Sequence, residues 1–463
     1  MNDDVAQPGP ASGQMSGPAS TTRQPPGLFL LFGVEMWERF SFYGMRAFLT
    51  LFLISTAGGF GWSKEQASYL YGWYQGLVYL TPLLGGYLAD RLIGTHRALI
   101  IGGIIIAAGH FCLAIPAQWT FFLGLGLIIL GTGFFKSNIS TMVGQLYSDN
   151  DRRRDAAFTI FYMGINLGAS IGQIICPKLA DRYNWHVGFS AAGFGMVLGL
   201  LVYLAFKRRF LGTIGDIPAS RIARQAENAS AGRTKQPLSA VEKQGVAAIA
   251  ILAFFNIFFW MAFEQAGSSM TFFAEERTRR SFLGVNFLAP YFQSVNSLSV
   301  ILLAPVFAWT WTRLAARGRA PSTPVRFALG LFLLGAGFIV LVVGAHLSDA
   351  GGRVSPLWLI ATYVLHTCGE LCLSPVGLSM VTKLAPARFA SLMMGAWFFS
   401  MFISDLLAGL LAGTVEKVEK GQVFHLLGGQ ADFFLMFVVS TFVAGLALLA
   451  VSPWVKRLMH GRA

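Results

Sequence analysis

Charge is scarce in this chain. Asp, Glu, Lys and Arg together make up 12% of its 463 residues, roughly half the share of an ordinary soluble domain. A soluble fold of this size would need far more solvated surface, so that class is excluded first. Cysteine is scarce too. Cys112, Cys176, Cys368 and Cys372 are the whole set, all four lie in apolar stretches, and packing is their expected role. No His/Cys cluster of ligand spacing completes a metal site, and no nucleophile–base set sits on a polar loop. No metal, cofactor or enzymatic activity is therefore expected.

What fills the chain instead is apolar. Hydrophobic residues reach 54%, with 52 Gly and 41 Phe, a profile that suits packed membrane helices. Runs long enough to cross a bilayer, about 20 residues each, fall near 27–54, 68–89, 97–114, 119–143, 156–176 and 187–206. A second set falls near 246–266, 286–310, 325–347, 356–378, 388–412 and 432–452. Twelve runs divide six and six around a polar linker, 207–245, which could hold a short helix on the membrane surface but not a spanning one. Residues 1–26 lack the charged start and apolar core of a cleaved signal peptide. They are expected to form a disordered cytoplasmic tail, and 456–463 a second, short one.

The net charge of +13 could point to nucleic acid, but its distribution argues otherwise. With both termini placed in the cytoplasm, the cytoplasmic loops carry 23 Lys/Arg and the opposite side nine. That asymmetry is the positive-inside pattern of a multi-pass protein in a lipid bilayer. The basic surplus is thus a topology signal, and no nucleic-acid partner is expected.

Between the second and third runs stands Gly85-Gly86-Tyr87-Leu88-Ala89-Asp90-Arg91, followed by Gly94 and Arg97. A generic glycine turn with cytoplasmic charges would explain it in part. Its place between the second and third of twelve segments makes it resemble the loop signature of the major facilitator superfamily. Two six-helix bundles are then expected: 27–206 and 246–455, an all-α membrane protein of the major facilitator fold.

Ionisable residues inside the runs are the informative ones, because each costs about 2.5–3.5 kcal/mol to insert unless it faces a cavity or a partner. The first segment contains Glu35, Glu38, Arg39, Tyr43 and Arg46. At about 100° per residue from Arg39, Glu35 lies near −40°, Tyr43 near +40° and Arg46 near −20°, with Glu38 at the margin near −100°. A structural ion pair would account for two of these charges, but not for two Glu and two Arg in one segment. A polar pathway is the better reading. Lys136, Glu264, Glu370 and Asp405 add single charges in segments four, seven, ten and eleven. Lys136 requires an acidic partner in hydrocarbon, and Glu370 is its expected mate. Asp405 has no expected role beyond a helix contact. His366, one turn before Glu370, is expected to pack rather than to couple protons.

Glu35-Met36-Trp37-Glu38-Arg39-Phe40 closely resembles the ExxERF signature of the proton-dependent oligopeptide transporter family. Phe161-Tyr162-Met163-Gly164-Ile165-Asn166, Phe263-Glu264-Gln265, Phe292-Gln293-Ser294-Val295-Asn296 and Gly369-Glu370-Leu371 resemble four further blocks, in order along the chain. Three departures stand out. The linker is too polar for the two extra helices that bacterial members commonly carry. Ser297 stands where Pro usually follows Asn296. No His occurs in 68–89, where animal members use one, so coupling would rest on carboxylates.

The resemblance implies a symporter importing di- and tripeptides with protons, by alternating access, across a bacterial inner membrane. It implies a peptide site in which Arg46 and Lys136 attract the carboxylate and Glu370, with Asn166 and Asn296, receives the amino group. Tyr43, Tyr79, Tyr162, Trp260 and Trp397 would line side-chain pockets. Proton coupling is assigned on the same basis to Glu35, Glu38, Arg39, Lys136, Glu264 and Glu370, with Arg46 and Glu264 closing the outer side. A same-family carrier of nitrate or another small anion is the alternative.

Overall fold

Each of the twelve expected runs contains a helix, and local chemistry sets where several begin. The computed structural model describes residues 23–148, 151, 153–218, 238–282, 284–386 and 389–461. In the first half the long helices are α1 (Pro26–Ile54), α2 (Lys64–Leu88), α3 (Thr95–Leu113), α4 (Gln118–Gln145), α5 (Arg153–Arg182) and α6 (Trp185–Phe210). In the second half α7 (Ala240–Phe263) continues through a 3-10 turn, Glu264–Gly267, into Ser269–Glu276. It is followed by α8 (Tyr291–Ala316), α9 (Thr323–Gly351), α10 (Leu357–Leu384), α11 (Ala390–Ala412) and α12 (Gly429–Leu458). Ser63 caps α2 and Ser239 caps α7 with full capping boxes, each partner lying three residues on, Gln66 and Glu242. Asn184 starts α6 by accepting from Val187 N.

Two expected boundaries shift. The run at 246–266 underestimates α7, which reaches Glu276 on its far side. The run at 286–310 starts too early, because Ser281–Phe282 and Val285–Asn286 pair as a short antiparallel hairpin and Pro290 precedes α8. The polar linker also narrows. Lys207, Arg208 and Arg209 form the last turn of α6, where cations complement the helix dipole. After it, Gly215 O accepts from His96 N of α3 and Asp216 pairs with Lys207. The expected N-terminal tail up to residue 22 and the possible surface helix in 219–237 lie outside the described residues.

By length and hydropathy, ten helices qualify as membrane spans among the described residues. The two that fall short are α1, in which every long window holds at least three charges, and α2, rich in Gly, Tyr and polar residues. Both face the site described below, which is why they are less apolar than their neighbours.

Each half has its own core. Phe48, Phe52, Ile128 and Phe189 anchor the first, and Leu331, Phe338, Phe434 and Phe437 the second. Polar contacts join the halves towards the ends remote from the first turn of α1 and the last turn of α12. Thr50 donates to Gly267 O at 2.9 Å, and Gln293 Nε2 to Ala47 O at 3.1 Å. At the surface Lys64 pairs with Glu276 at 2.7 Å and Lys417 with Glu65 at 2.9 Å.

Candidate transport site

Glycine positions the first helix. A Cβ on Gly168 of α5 would lie 2.0 Å from Met36 O, and one on Gly172 would lie 2.3 Å from Phe40 O. Backbone contact with α5 therefore clamps α1 at the very turns that carry its charges. Within those turns Arg39 Nε lies 2.9 Å from Glu35 Oε1 and 2.5 Å from Glu38 Oε2, all three side chains being buried. The approach is an ion-pair distance without hydrogen-bond alignment: Glu38 has both carboxylate oxygens, and Arg39 its Nε and Nη2, without a hydrogen-bonding partner. The triad is held by charge rather than by directed bonds.

Two turns further out, Arg46 reaches across the seam to Glu264 in the 3-10 turn after α7. Its Nε donates to Tyr71 Oη at 2.5 Å. With the Gln75 amide turned so that its oxygen faces the guanidinium, that oxygen accepts from Arg46 Nε at 3.2 Å and Nη1 at 3.1 Å. Arg46 and Glu264 are both about 95% buried, so the pair closes a dry contact between the halves.

Below this latch lies a cavity of about 100 Å³. Its wall includes Tyr43, Arg46, Tyr79, Tyr162, Asn166, Trp260, Glu264, Asn296 and Glu370. Glu370 stands at its centre with neutral donors: Tyr162 Oη donates to Oε1 at 3.2 Å and Asn296 Nδ2 to Oε2 at 2.9 Å. Asn296 is steadied by Thr367 Oγ1 at 3.0 Å. Asn166 Nδ2 donates to Tyr162 O and Trp260 Nε1 to Asn256 Oδ1, each at 3.0 Å.

Two expectations need correcting. Lys136 does not pair with Glu370. Its ammonium lies over the Tyr79 ring, 3.7 Å from the centroid, and the carboxylates whose fields reach it are Glu38, Glu35 and Asp405. Facing bundles had suggested a symmetric mate, but Tyr162 and Asn296 already occupy both oxygens of Glu370. Trp397 does not line the cavity. It is 1% exposed, packs edge-on against Phe327 and belongs to the core of the second half. Glu35, Glu38, Arg39 and Lys136 also lie off the cavity wall, as a charged layer beside it. His366 packs on Phe338 at 4.6 Å and also borders the cavity.

Several residues escaped the sequence reading. Tyr71 and Gln75, which hold Arg46, lie two turns and one turn before Tyr79 on α2. A Tyr71, Gln75, Tyr79 stripe at four-residue spacing was a legible sign of a polar face. Gln293, Ser297 and Tyr363 also line the cavity. Gln293 sat inside a recognised block and Ser297 directly after it; Tyr363 had no signal in the sequence.

A charged cavity on the seam of two six-helix bundles, latched on one side by a buried ion pair, defines a membrane transporter of the major facilitator type. The chain belongs to the POT family, whose model matches residues 96–224 and 219–427. It is 38% identical over 494 residues to Peptide transporter YePEPT of Yersinia enterocolitica subsp. palearctica serotype O:3 (strain YE-P4), covering 94% of each chain. It is 34% identical over 492 residues to the Di-/tripeptide transporter of Lactococcus lactis subsp. cremoris, covering 94% of this chain and 97% of that one. Among solved structures it resembles a mutant of peptide transporter POT in complex with alafosfalin. That likeness has a TM-score of 0.84 and 38% identity, over 95% of this chain and 96% of the other.

Proposed function

We propose that the protein imports di- and tripeptides together with protons, by alternating access of its two halves. The single observation that carries this reading is the carboxylate of Glu370, buried on the cavity wall with hydrogen bonds only from neutral groups. A buried carboxylate in that setting calls for a cation, and the amino group of a peptide supplies one. Nitrate or another small anion would meet Glu370 as a like charge, which disfavours the anion-carrier alternative.

The opposite end of the ligand meets basic groups. Arg46 borders the cavity, and Lys136 lies over Tyr79, itself a wall residue. Both suit a C-terminal carboxylate, with Asn166 and Asn296 contributing at the amino end. Tyr43, Tyr79, Tyr162 and Trp260 supply aromatic walls that tolerate different side chains between fixed polar anchors. Glu35, Glu38 and Arg39 sit apart from the wall, which suits protons rather than peptide. Relatives named for di- and tripeptides support the substrate class, and the charge asymmetry of the loops supports a bacterial inner membrane with both termini cytoplasmic.

The test is uptake of labelled dialanine into proteoliposomes, with and without an inward proton gradient. Accumulation above equilibrium only with the gradient is expected. Equal uptake in both conditions would overturn proton coupling, and no uptake of any di- or tripeptide would overturn the substrate class.

A further inference from the structure

One buried carboxyl stands outside this scheme. Asp405, on α11, is 2% exposed, and its Oδ2 has no hydrogen-bond partner. It sits where the backbones of the two halves meet. A Cβ on Gly72 of α2 would come within 2.8 Å of both Asp405 O and Gly409 Cα, and one on Gly409 would lie 2.6 Å from Ser68 O. Backbone meets backbone there, and little room is left for solvent. Along the same seam the hydroxyl of Ser68 on α2 is buried without a partner as well.

Charged and titratable groups surround this carboxyl without touching it. From α7 it feels Glu264, from α1 Arg46 and from α4 Lys136. From α2 it faces Tyr71 and Tyr79. From α10, Glu370 is engaged elsewhere with Tyr162 and Asn296. No basic nitrogen lies within ion-pair distance of Asp405 among the described residues, since Arg46 is spent on Glu264 and Lys136 rests on Tyr79. An ionised carboxylate left alone in a dry seam would oppose the contact it is buried in.

We propose that Asp405 is a protonation latch of the outer gate: its carboxyl takes a proton from the outer water as α2 and α11 close, and returns it there when they part. The proton enters and leaves on the same side, so the group sets the ease of closure and carries no charge across the membrane. Acid outside then favours closure over a loaded site, which is the direction a proton-driven importer needs. The inference rests on the symport reading above and adds to it a residue that positions helices rather than contacts peptide.

Asp405→Asn supplies a permanently neutral side chain of nearly the same shape. Two measurements on the purified full-length protein test the idea. In thermal melting the variant is expected to unfold above the wild type by a wide margin at about pH 8 and by a much narrower one at about pH 5, because the burden of burying an ionisable carboxyl grows in the wild type as pH rises above its unfolded value. In proteoliposomes at fixed internal pH, the initial rate of dialanine uptake is expected to respond less to outer pH in the variant than in the wild type. A variant that melts below the wild type at the higher pH would overturn the proposal, since it would mean that an ionised Asp405 holds a structural partner. An unchanged response to outer pH would overturn it too. If the wild type takes up no dialanine under a gradient, the symport reading fails, while the melting comparison still decides the protonation state of Asp405.

Discussion

In the proposed peptide site substrate choice turns on Glu370, and its surroundings say how to test that. Tyr162 and Asn296 hold both carboxylate oxygens, so Glu370→Gln keeps the shape of the wall and removes only the charge. A hydrogen bond to a charged group contributes about 1.5–3 kcal/mol. Dipeptide affinity should therefore fall by about tenfold to a hundredfold, read as the Kd for dialanine by calorimetry. Wild-type affinity in this variant would remove Glu370 from the amino-group site. Lys136 makes a complementary case. With no carboxylate in ion-pair contact with it among the described residues, its ammonium is available to the peptide carboxylate of the proposed site, and Lys136→Ala should abolish gradient-driven uptake in a protein that still folds. At this scale the sequence was informative about charge and poor about aromatics. An ionisable residue in an apolar run must face something polar, so Glu35, Glu38, Arg39, Arg46, Lys136, Glu264 and Glu370 were all legible. A Trp in a membrane helix is content in either core or cavity, so nothing in the sequence could tell Trp397 from Trp260.

At the scale of the helix, α1 and α5 form one device. Gly168 lets Met36 O approach to where a Cβ would sit only 2.0 Å away. Gly168→Ala must push the two helices apart, at a cost of about 1–3 kcal/mol by the usual penalty for overpacking. A lowered melting temperature, with peptide uptake reduced alongside it, is expected; unchanged melting would show that α1 does not need this contact. The charged turn of α1 asks a different question, whether Glu35 and Glu38 move protons or only hold Arg39. Glu35→Gln and Glu38→Gln keep the shape of the turn. If these groups couple protons, driven accumulation should be lost in the variants while counterflow of peptide survives. A purely structural triad predicts that both activities fall together with thermal stability. Persistence of driven accumulation in both variants would move the coupling site to Glu264 or Glu370. Helix existence was legible throughout because twelve apolar runs leave little choice. The ends were not: α7 runs on to Glu276 through a segment too polar to count as apolar, and the hairpin at 281–286 hides in a short stretch that reads as the start of α8.

Across the whole molecule, the outer closure has two layers with different responses to the medium. The inner layer is Arg46 with Glu264, both buried. The outer layer lies at the surface: Lys64 with Glu276, and Glu65 with Lys417 of the short helix Val415–Glu419. The hydrogen bond that Lys417 donates, with a second from Tyr69, holds the Glu65 carboxyl below its ordinary value of 4.5. A group held down in this way lends its stability above the unfolded value and loses it only as pH falls through the lower, folded one. Between about pH 5 and pH 8 Glu65 thus stays charged, and its pair with Lys417 does not sense a proton gradient in that window. Under the proposed symport the pH response is expected from carboxyls away from water. Initial rates of dialanine uptake across that window separate the layers. Glu65→Gln should alter the rate but keep the shape of the pH profile, because it removes a contact that does not titrate there. If Glu38 carries a proton in the proposed cycle, Glu38→Gln should flatten the profile. A flattened profile in Glu65→Gln would place proton sensing at the surface, and the division of labour between the two layers would be wrong.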